Sequence, residues 1–250
     1  PAGTMPAIAG GGGGGNPSPN NVGFGGGTPG GRPGTANACA ALGASGGGGG
    51  GGGPGSPPGA CAQGGDGGSG LVVVKEKGSV TKVSGMWSMQ DQYDESLAGN
   101  WSFASPFGDV NILVVGSGGG GSTNSGAGGG GGYRFNTALT LGTGVTYTAT
   151  IGAGGTYGAP GRPPPNSQAP GVNTTFSGPD IQTMTAYGGG RAKSAGTDPV
   201  GSQNGGSGGG SNYHSPANPE PAGSGNTPVT FMSQGNPGAC GTVSDNSATG

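Results

Sequence analysis

Two patterns of apolar and polar positions alternate along this chain. In Asn111-Ile-Leu-Val-Val-Gly-Ser-Gly-Gly-Gly-Gly121 an apolar run passes straight into glycine, and in Gly67-Gly-Ser-Gly-Leu-Val-Val-Val-Lys75 the same junction appears reversed. The apolar runs are short and rich in valine, isoleucine and threonine, which predicts strands rather than helices. Leu71–Glu76 reads as one strand ending in alternating charge, and Val80–Ser84 as a second short strand or a link onward. Met86–Asn100 fits a short helix or an irregular loop. From Trp101 the β pattern is clear: Trp101-Ser-Phe103, a Pro106-Phe-Gly108 turn, then strands at Val110–Val115 and Leu139–Leu141. Val145–Ile151 alternates strictly, with Val145, Tyr147, Ala149 and Ile151 on one face and threonines on the other. Asn173–Phe176 and Ile181–Met184 continue the series, and Val229–Met232 is a last apolar island. These strands predict a small antiparallel β-sandwich with Trp101, Phe103, Ile112, Val114, Tyr147, Phe176 and Met184 inside.

Composition changes the picture between the strands. Glycine supplies 70 and proline 22 of the 250 residues. Such a content points to collagen or to disorder. Collagen needs glycine at every third position, and Gly25-Gly-Gly-Thr-Pro-Gly-Gly-Arg-Pro-Gly34 breaks that register. A hydrophobic content of 28% leaves little to bury against the entropy of ordering glycine. Against disorder stands a charged content of only 7%. A helix costs about 1 kcal/mol per glycine, and an ordinary glycine strand has no side chains to pack. The remaining ordered form is an extended left-handed threefold helix, with a rise of roughly 3.1 Å and no internal hydrogen bonds. Its N–H and C=O groups must bond to neighbours, and weak Cα–H···O contacts add to them. Gly10–Gly15, Gly46–Gly53, Gly118–Gly121, Gly128–Gly132 and Gly205–Gly210 are therefore expected to be rods of one polyglycine II bundle. The fold class expected is all-β with almost no α-helix.

Four segments follow: rods over 1–70, a closing strand and linker over 71–85, a β-sandwich with an inserted glycine tract over 86–187, and rods and loops over 188–250. Asn16-Pro-Ser-Pro-Asn-Asn21 and Pro54-Gly-Ser-Pro-Pro-Gly59 fit reversals between rods.

Net charge is −2 with no basic patch, which argues against nucleic-acid binding. Lys75, Lys77 and Lys82 fit a solvated guard on an edge strand. No apolar run approaches the roughly 20 residues of a membrane helix. Starting at Pro1 without Met, the chain is expected to be a processed product or a window from something longer. Of the three cysteines, Cys39 and Cys61 share one glycine region and are candidates for a disulfide worth roughly 3 kcal/mol; buried thiols are the plainer alternative. Cys240 is left over and is a candidate for pairing with another subunit or repeat.

Asn100-Trp-Ser-Phe-Ala-Ser-Pro-Phe-Gly-Asp-Val-Asn-Ile-Leu-Val-Val-Gly116, followed by glycines and Tyr133-Arg-Phe135, resembles the glycine-rich domain of phage tail-fibre and bacterial surface proteins. So does Val145–Gly155, with its Tyr-Thr-Ala-Thr-Ile-Gly-Ala-Gly-Gly ending. The resemblance implies a Trp strand at the opening and a Gly-Gly-Ser-Gly-Leu-Val-Val strand at the close. Here the closing element, Gly67–Lys77, precedes the opening at Trp101, so family order would be 86–250 followed by 1–83. Two explanations fit. The chain is one period of a head-to-tail repeat, or separate subunits complete each other's sheets. The insert 88–99 departs from the short lead-in the resemblance implies.

Little of the sequence fits catalysis. Gly116-Ser-Gly-Gly-Gly-Gly121 satisfies a dinucleotide-loop spacing, but Ser, Thr, Asn and glycine follow where a helix is needed, and no Asp or Glu occurs between Asp109 and Asp180. His214, the sole histidine, sits among prolines as a loop residue. Asp91, Asp94 and Glu95 lack calcium-loop spacing and fit a solvated face. No enzyme activity, cofactor or metal is expected. Trp87, Tyr93, Tyr157, Tyr187 and Tyr213 lie in or beside loops, where rings near Asn, Gln and Asp suit sugar faces; sealing sandwich or rod ends is the alternative. In phage adhesins similar to this, polyglycine layers carry receptor-binding loops, which would place recognition at Tyr157–Val172 and Tyr213–Thr227. An ice-binding role wants a flat Thr/Ala face that these interrupted tracts lack. The expected function is a structural subunit of an extracellular filament, with other copies of itself as partner. The alternative is a virion tail-fibre tip that binds a cell-surface glycan or protein.

Overall fold

A computed structural model of the protein describes residues 10–12, 46–51, 64–76, 90, 109–122, 126–142, 144–158, 168–193, 203–211 and 221–240. The regular structure among them is β. Six strands appear in chain order: β1 (Leu71–Glu76), β2 (Val110–Val115), β3 (Tyr133–Leu139), β4 (Thr148–Thr150), β5 (Thr174–Gly178) and β6 (Ile181–Ala186). They form two antiparallel sheets, ordered β1-β2-β3 and β4-β5-β6. The sheets face each other, with β2 against β5 and β6, β1 against β5, and β3 against β6.

The core follows from period-two alternation. Val110, Ile112 and Val114 project from one face of β2 and are fully buried with Phe176, Ala186 and Leu141. Tyr147, Met184, Ile181, Val72 and Leu139 pack around them. Each such valine or isoleucine contributes about 1.5–3 kcal/mol. Among the described residues this cluster is small. Tyr147 and Phe176 stack with ring centres 5.8 Å apart. Of the expected core, Trp101 and Phe103 lie outside the described residues. So do the expected strand or link at 80–84, most of the expected helix or loop at 86–100, and the acidic cluster within it.

Two strand expectations need correction. Leu139–Leu141 is not a strand of its own; pairing instead runs from Tyr133 to Leu139. Val145–Ile151 is not one seven-residue strand with a buried face. Only Thr148–Thr150 pairs, Ala149 is exposed, and Ile151 is 48% exposed. The backbone at Gly152 leaves the pairing with β5, its N–H going to Thr174 Oγ1 at 3.1 Å. The β2–β3 pair also shifts register between Val110 and Ile112. Opposite the shift, Ala138 takes φ 59°, and its N–H donates to Asn111 Oδ1 at 3.2 Å. The left-handed conformation costs an L-residue about 1–2 kcal/mol, which this bond helps offset.

Every strand meets a glycine-rich tract at the same end of the sandwich. Tract 64–70 leads into β1, 126–132 into β3 and 168–173 into β5; tracts 116–122, 152–158 and 187–193 follow β2, β4 and β6. Tracts 10–12, 46–51, 203–211 and 221–239 pack among them. β1 pairs along its whole length with β2 of the same chain.

Candidate functional site

The distinctive site of this molecule is the tract bundle itself. Its residues carry almost no side chains, so the chemistry available is backbone hydrogen bonding. Tract 116–122 lies at its centre. Gly116, Gly119 and Ser122 donate to Gly132, Gly129 and Gly126 of tract 126–132. Ser117 and Gly120 donate to Val172 and Ala169, while Gly118 and Gly121 donate to Gly68 and Gly65. The carbonyls repeat likewise: Ser117 and Gly120 accept from Gly189 and Ala192, Gly118 and Gly121 accept from Gly155 and Gly158, and Gly119 accepts from Gly49. Bonding direction thus recurs every third residue. The central tract is bonded to six neighbours, and those that receive alternate around it with those that give.

Close approach explains why these positions are glycine. A Cβ on Gly118, Gly119, Gly120 or Gly121 would fall well inside contact distance of the carbonyl oxygen of Gly47, Gly190, Thr156 or Gly50. The obstacles are backbone atoms held by their own bonds, so they cannot swing aside as a side chain would.

Where the strands hand over to the tracts, polar side chains take the place of missing backbone partners. Gln234, 1% exposed, accepts from Tyr187 N–H at 2.9 Å and donates to Thr185 O at 3.1 Å. Its amide thereby acts as one more peptide unit beside β6. Asn173 Oδ1 accepts from Gly188 N–H at 3.0 Å, Ser117 Oγ donates to Val172 O at 2.7 Å, and Asp66 Oδ1 accepts from Tyr157 N–H at 2.8 Å. Buried Gln168 donates to Ala192 O at 3.2 Å. Among the described residues no buried side-chain polar atom lacks a partner.

A second polar cluster closes the opposite end of the sandwich. Asp180, in the β5–β6 hairpin, accepts from Tyr147 Oη at 2.6 Å and from Gly142 N–H at 3.0 Å. The Tyr147 hydroxyl has its pKa raised, first by partial removal from water and then by the Asp180 carboxylate; the hydrogen bond from Tyr147 holds the Asp180 carboxyl below its ordinary value. This ties the turn after β3 to the hairpin.

Of the expected site residues, Tyr157, Tyr187 and Cys240 are among those described. Tyr157 and Tyr187 are half-buried in the tracts, and their backbones join the bonding network through Asp66 and Gln234. Cys240 is an exposed thiol. Trp87, Tyr93, Tyr213, His214, Cys39 and Cys61 lie outside the described residues. Sequence reasoning missed the junction residues Gln234, Asn173, Thr174 and Asp66. Their signal was an amide, hydroxyl or acid beside a glycine tract or at a strand end. It also missed an open groove of about 380 Å³ between β3 and β6, lined by Arg134, Phe135, Asn136, Leu139, Met184 and Met232. Val229 and Phe231 stand almost wholly exposed near it in sequence, beside Met232. No group of His, Cys, Asp and Glu suited to a metal occurs among the described residues, and no helix there is long and apolar enough to cross a membrane.

Compared with known proteins, the chain matches no curated protein and no solved structure. One family description does match, that of a glycine-rich domain, over residues 95–250. The matched stretch includes β2 to β6 and the central tract; β1 and the tracts before it precede the match and are built into the same bundle. With more than half of its length matched, the chain belongs to the glycine-rich domain family.

Proposed function

We propose that this protein is a structural subunit of an extracellular filament, in which polyglycine II rods bonded side by side carry load between small β-sandwiches, with copies assembling head to tail. One observation carries the reading: the central tract is bonded in six directions, with a threefold repeat of donors and acceptors. Threefold recurrence without internal bonds is the property of an extended threefold helix. Side-by-side bonding of this kind supplies cohesion that the small apolar core does not. Electron microscopy of the native material, with hydrogen exchange on the assembled particle, tests the proposal. Filaments with slow exchange at 46–51 and 118–121 are expected. Discrete monomers at all concentrations, or fast exchange throughout these tracts, refute it.

A second reading is a tail-fibre tip that binds a cell-surface glycan or protein. It is favoured by the exposed Val229, Phe231 and Met232 on a loop that leaves the bundle. It predicts a finite particle whose attachment to cells fails when Phe231 is replaced by Ser.

A further inference from the structure

Six neighbours surround tract 116–122, and the same repeat shows where tract 126–132 is short of one among the described residues. Its N–H groups at 128 and 131 donate to tract 46–51, and those at 129 and 132 to tract 187–193. Its carbonyls at 126, 129 and 132 accept from tract 116–122, those at 127 and 130 from tract 203–211, and that at 128 from Gly12. The N–H groups that remain belong to Gly126 at the start of the tract and, within it, to Ala127 and Gly130. Ala127 and Gly130 are buried, and no described residue accepts from either. Buried orphan donors are costly and rare.

The side on which they should donate is fixed by the alternation seen around the central tract. Receiving and giving neighbours alternate, so the third receiving neighbour belongs between tract 10–12 and tract 203–211. An open groove of about 400 Å³ lies there, lined by Gly11, Gly129, Gly130, Gly208, Asn236 and Ala239 among others. We propose that this groove is a docking slot for one extended glycine segment of a second copy of the chain.

The chemistry of the slot selects that occupant. Gly130 lines it and carries one of these N–H donors, and the Ala127 N–H lies one threefold repeat away along the same tract, which suits a segment whose carbonyls recur at that interval. The existing neighbours approach so closely that a Cβ on Gly128, Gly129 or Gly131 would meet the carbonyl oxygen of Gly119, Ser207 or Gly116. A further strand at that spacing must itself be bare of side chains where it faces inward. A chain with 70 glycines, already packed against itself in this way, meets the requirement. The choice of a second copy rests on the filament reading above; the slot's preference for oligoglycine does not.

Gly11 provides the test, because a Cβ built there meets nothing within 4 Å. Gly11→Leu should fold as the wild type does while adding bulk at the wall of the slot, which Gly11 lines; Gly11→Ala is the milder companion. In the wild-type protein, exchange of the Gly130 amide should slow at least about tenfold, equivalent to about 1.4 kcal/mol, as filaments form. Gly11→Leu should abolish both the slowing and the assembly. If Gly11→Leu assembles like the wild type, or Gly130 exchanges fast in filaments, the slot is refuted and the filament reading stands. If Gly130 is already protected in dilute monomer, the chain fills its own groove and the proposal is overturned. Should the wild type never assemble, the filament reading fails. The slot is then judged with a soluble peptide, six glycines flanked by lysines. Binding that slows Gly130 exchange in wild type but not in Gly11→Leu supports the slot, and no binding at about 1 mM refutes it.

Discussion

Gly119→Ala should be among the most damaging single-methyl additions in the molecule. The new Cβ would collide with Gly190 C and O. Gly190 cannot retreat easily, since its N–H donates to Ser207 and its carbonyl accepts from Gly129. The tract must shift, which breaks the Gly119–Gly129 and Gly49–Gly119 bonds, both 2.9 Å long. Leaving buried polar groups unpaired costs about 1–3 kcal/mol each. Alanine recovers about 0.4–1 kcal/mol by restricting the unfolded chain. The net loss expected is about 2–5 kcal/mol, or a fall in Tm of roughly 4–20 °C at about 2–4 °C per kcal/mol. Gly11→Ala is the control: with open space around the Cβ, only the unfolded-state term remains, and stability should be unchanged or rise by up to about 1 kcal/mol. Thermal and urea unfolding followed by circular dichroism measure both variants. If Gly119→Ala unfolds with the control, backbone close packing is not what holds the bundle.

Other outcomes follow from the junctions and the far end of the sandwich. Gln234→Leu leaves Tyr187 N–H and Thr185 O without partners and should cost about 2–4 kcal/mol, read from the urea midpoint. Thr174→Val, nearly the same shape, removes only the acceptor for Gly152 N–H and should cost about 1–2 kcal/mol. Asp180 has a lowered carboxyl pKa, so its contribution is present above the unfolded value of about 3.9 and disappears as pH falls through the folded value; Asp180→Asn should flatten that acid limb of the stability curve. Tyr147 has a raised pKa, so its contribution is complete below about pH 10 and disappears as pH rises through the folded value, a limb that Tyr147→Phe should remove.

The strands most legible in the sequence are those whose burial matches their alternation. β2 and β5 each place apolar or small residues inward at every second position, and their alternation locates them closely. β3 is harder to place because its outward residues Tyr133 and Phe135 are about half exposed while Arg134 and Asn136 occupy the other face. An alternation that runs opposite to polarity cannot be read as an inward face. Val145–Ile151 misleads for the converse reason: a perfect alternation spans seven residues, yet only Thr148–Thr150 pairs with β5, and the Gly152 N–H goes to the Thr174 side chain instead of a backbone carbonyl. That glycine tracts bond to one another follows from counting orphan backbone groups. Which tract bonds which does not, because glycine carries no side chain to specify a partner; the choice is made by the strands that deliver each tract and by Gln234, Asn173 and Asp66. Lys75 is exposed at the end of edge strand β1, where a guard against further pairing belongs.

Because bonding direction in the central tract comes round every third residue, the length of such a tract is quantised. Deleting one glycine from 118–121 would turn each later amide through about a third of a revolution, toward a carbonyl on the wrong neighbour. Deleting three would restore every amide to its own side, one full turn nearer the sandwich. Tracts of this kind can therefore lengthen or shorten without loss of registry only in whole turns, whereas the loops between them are free of that arithmetic.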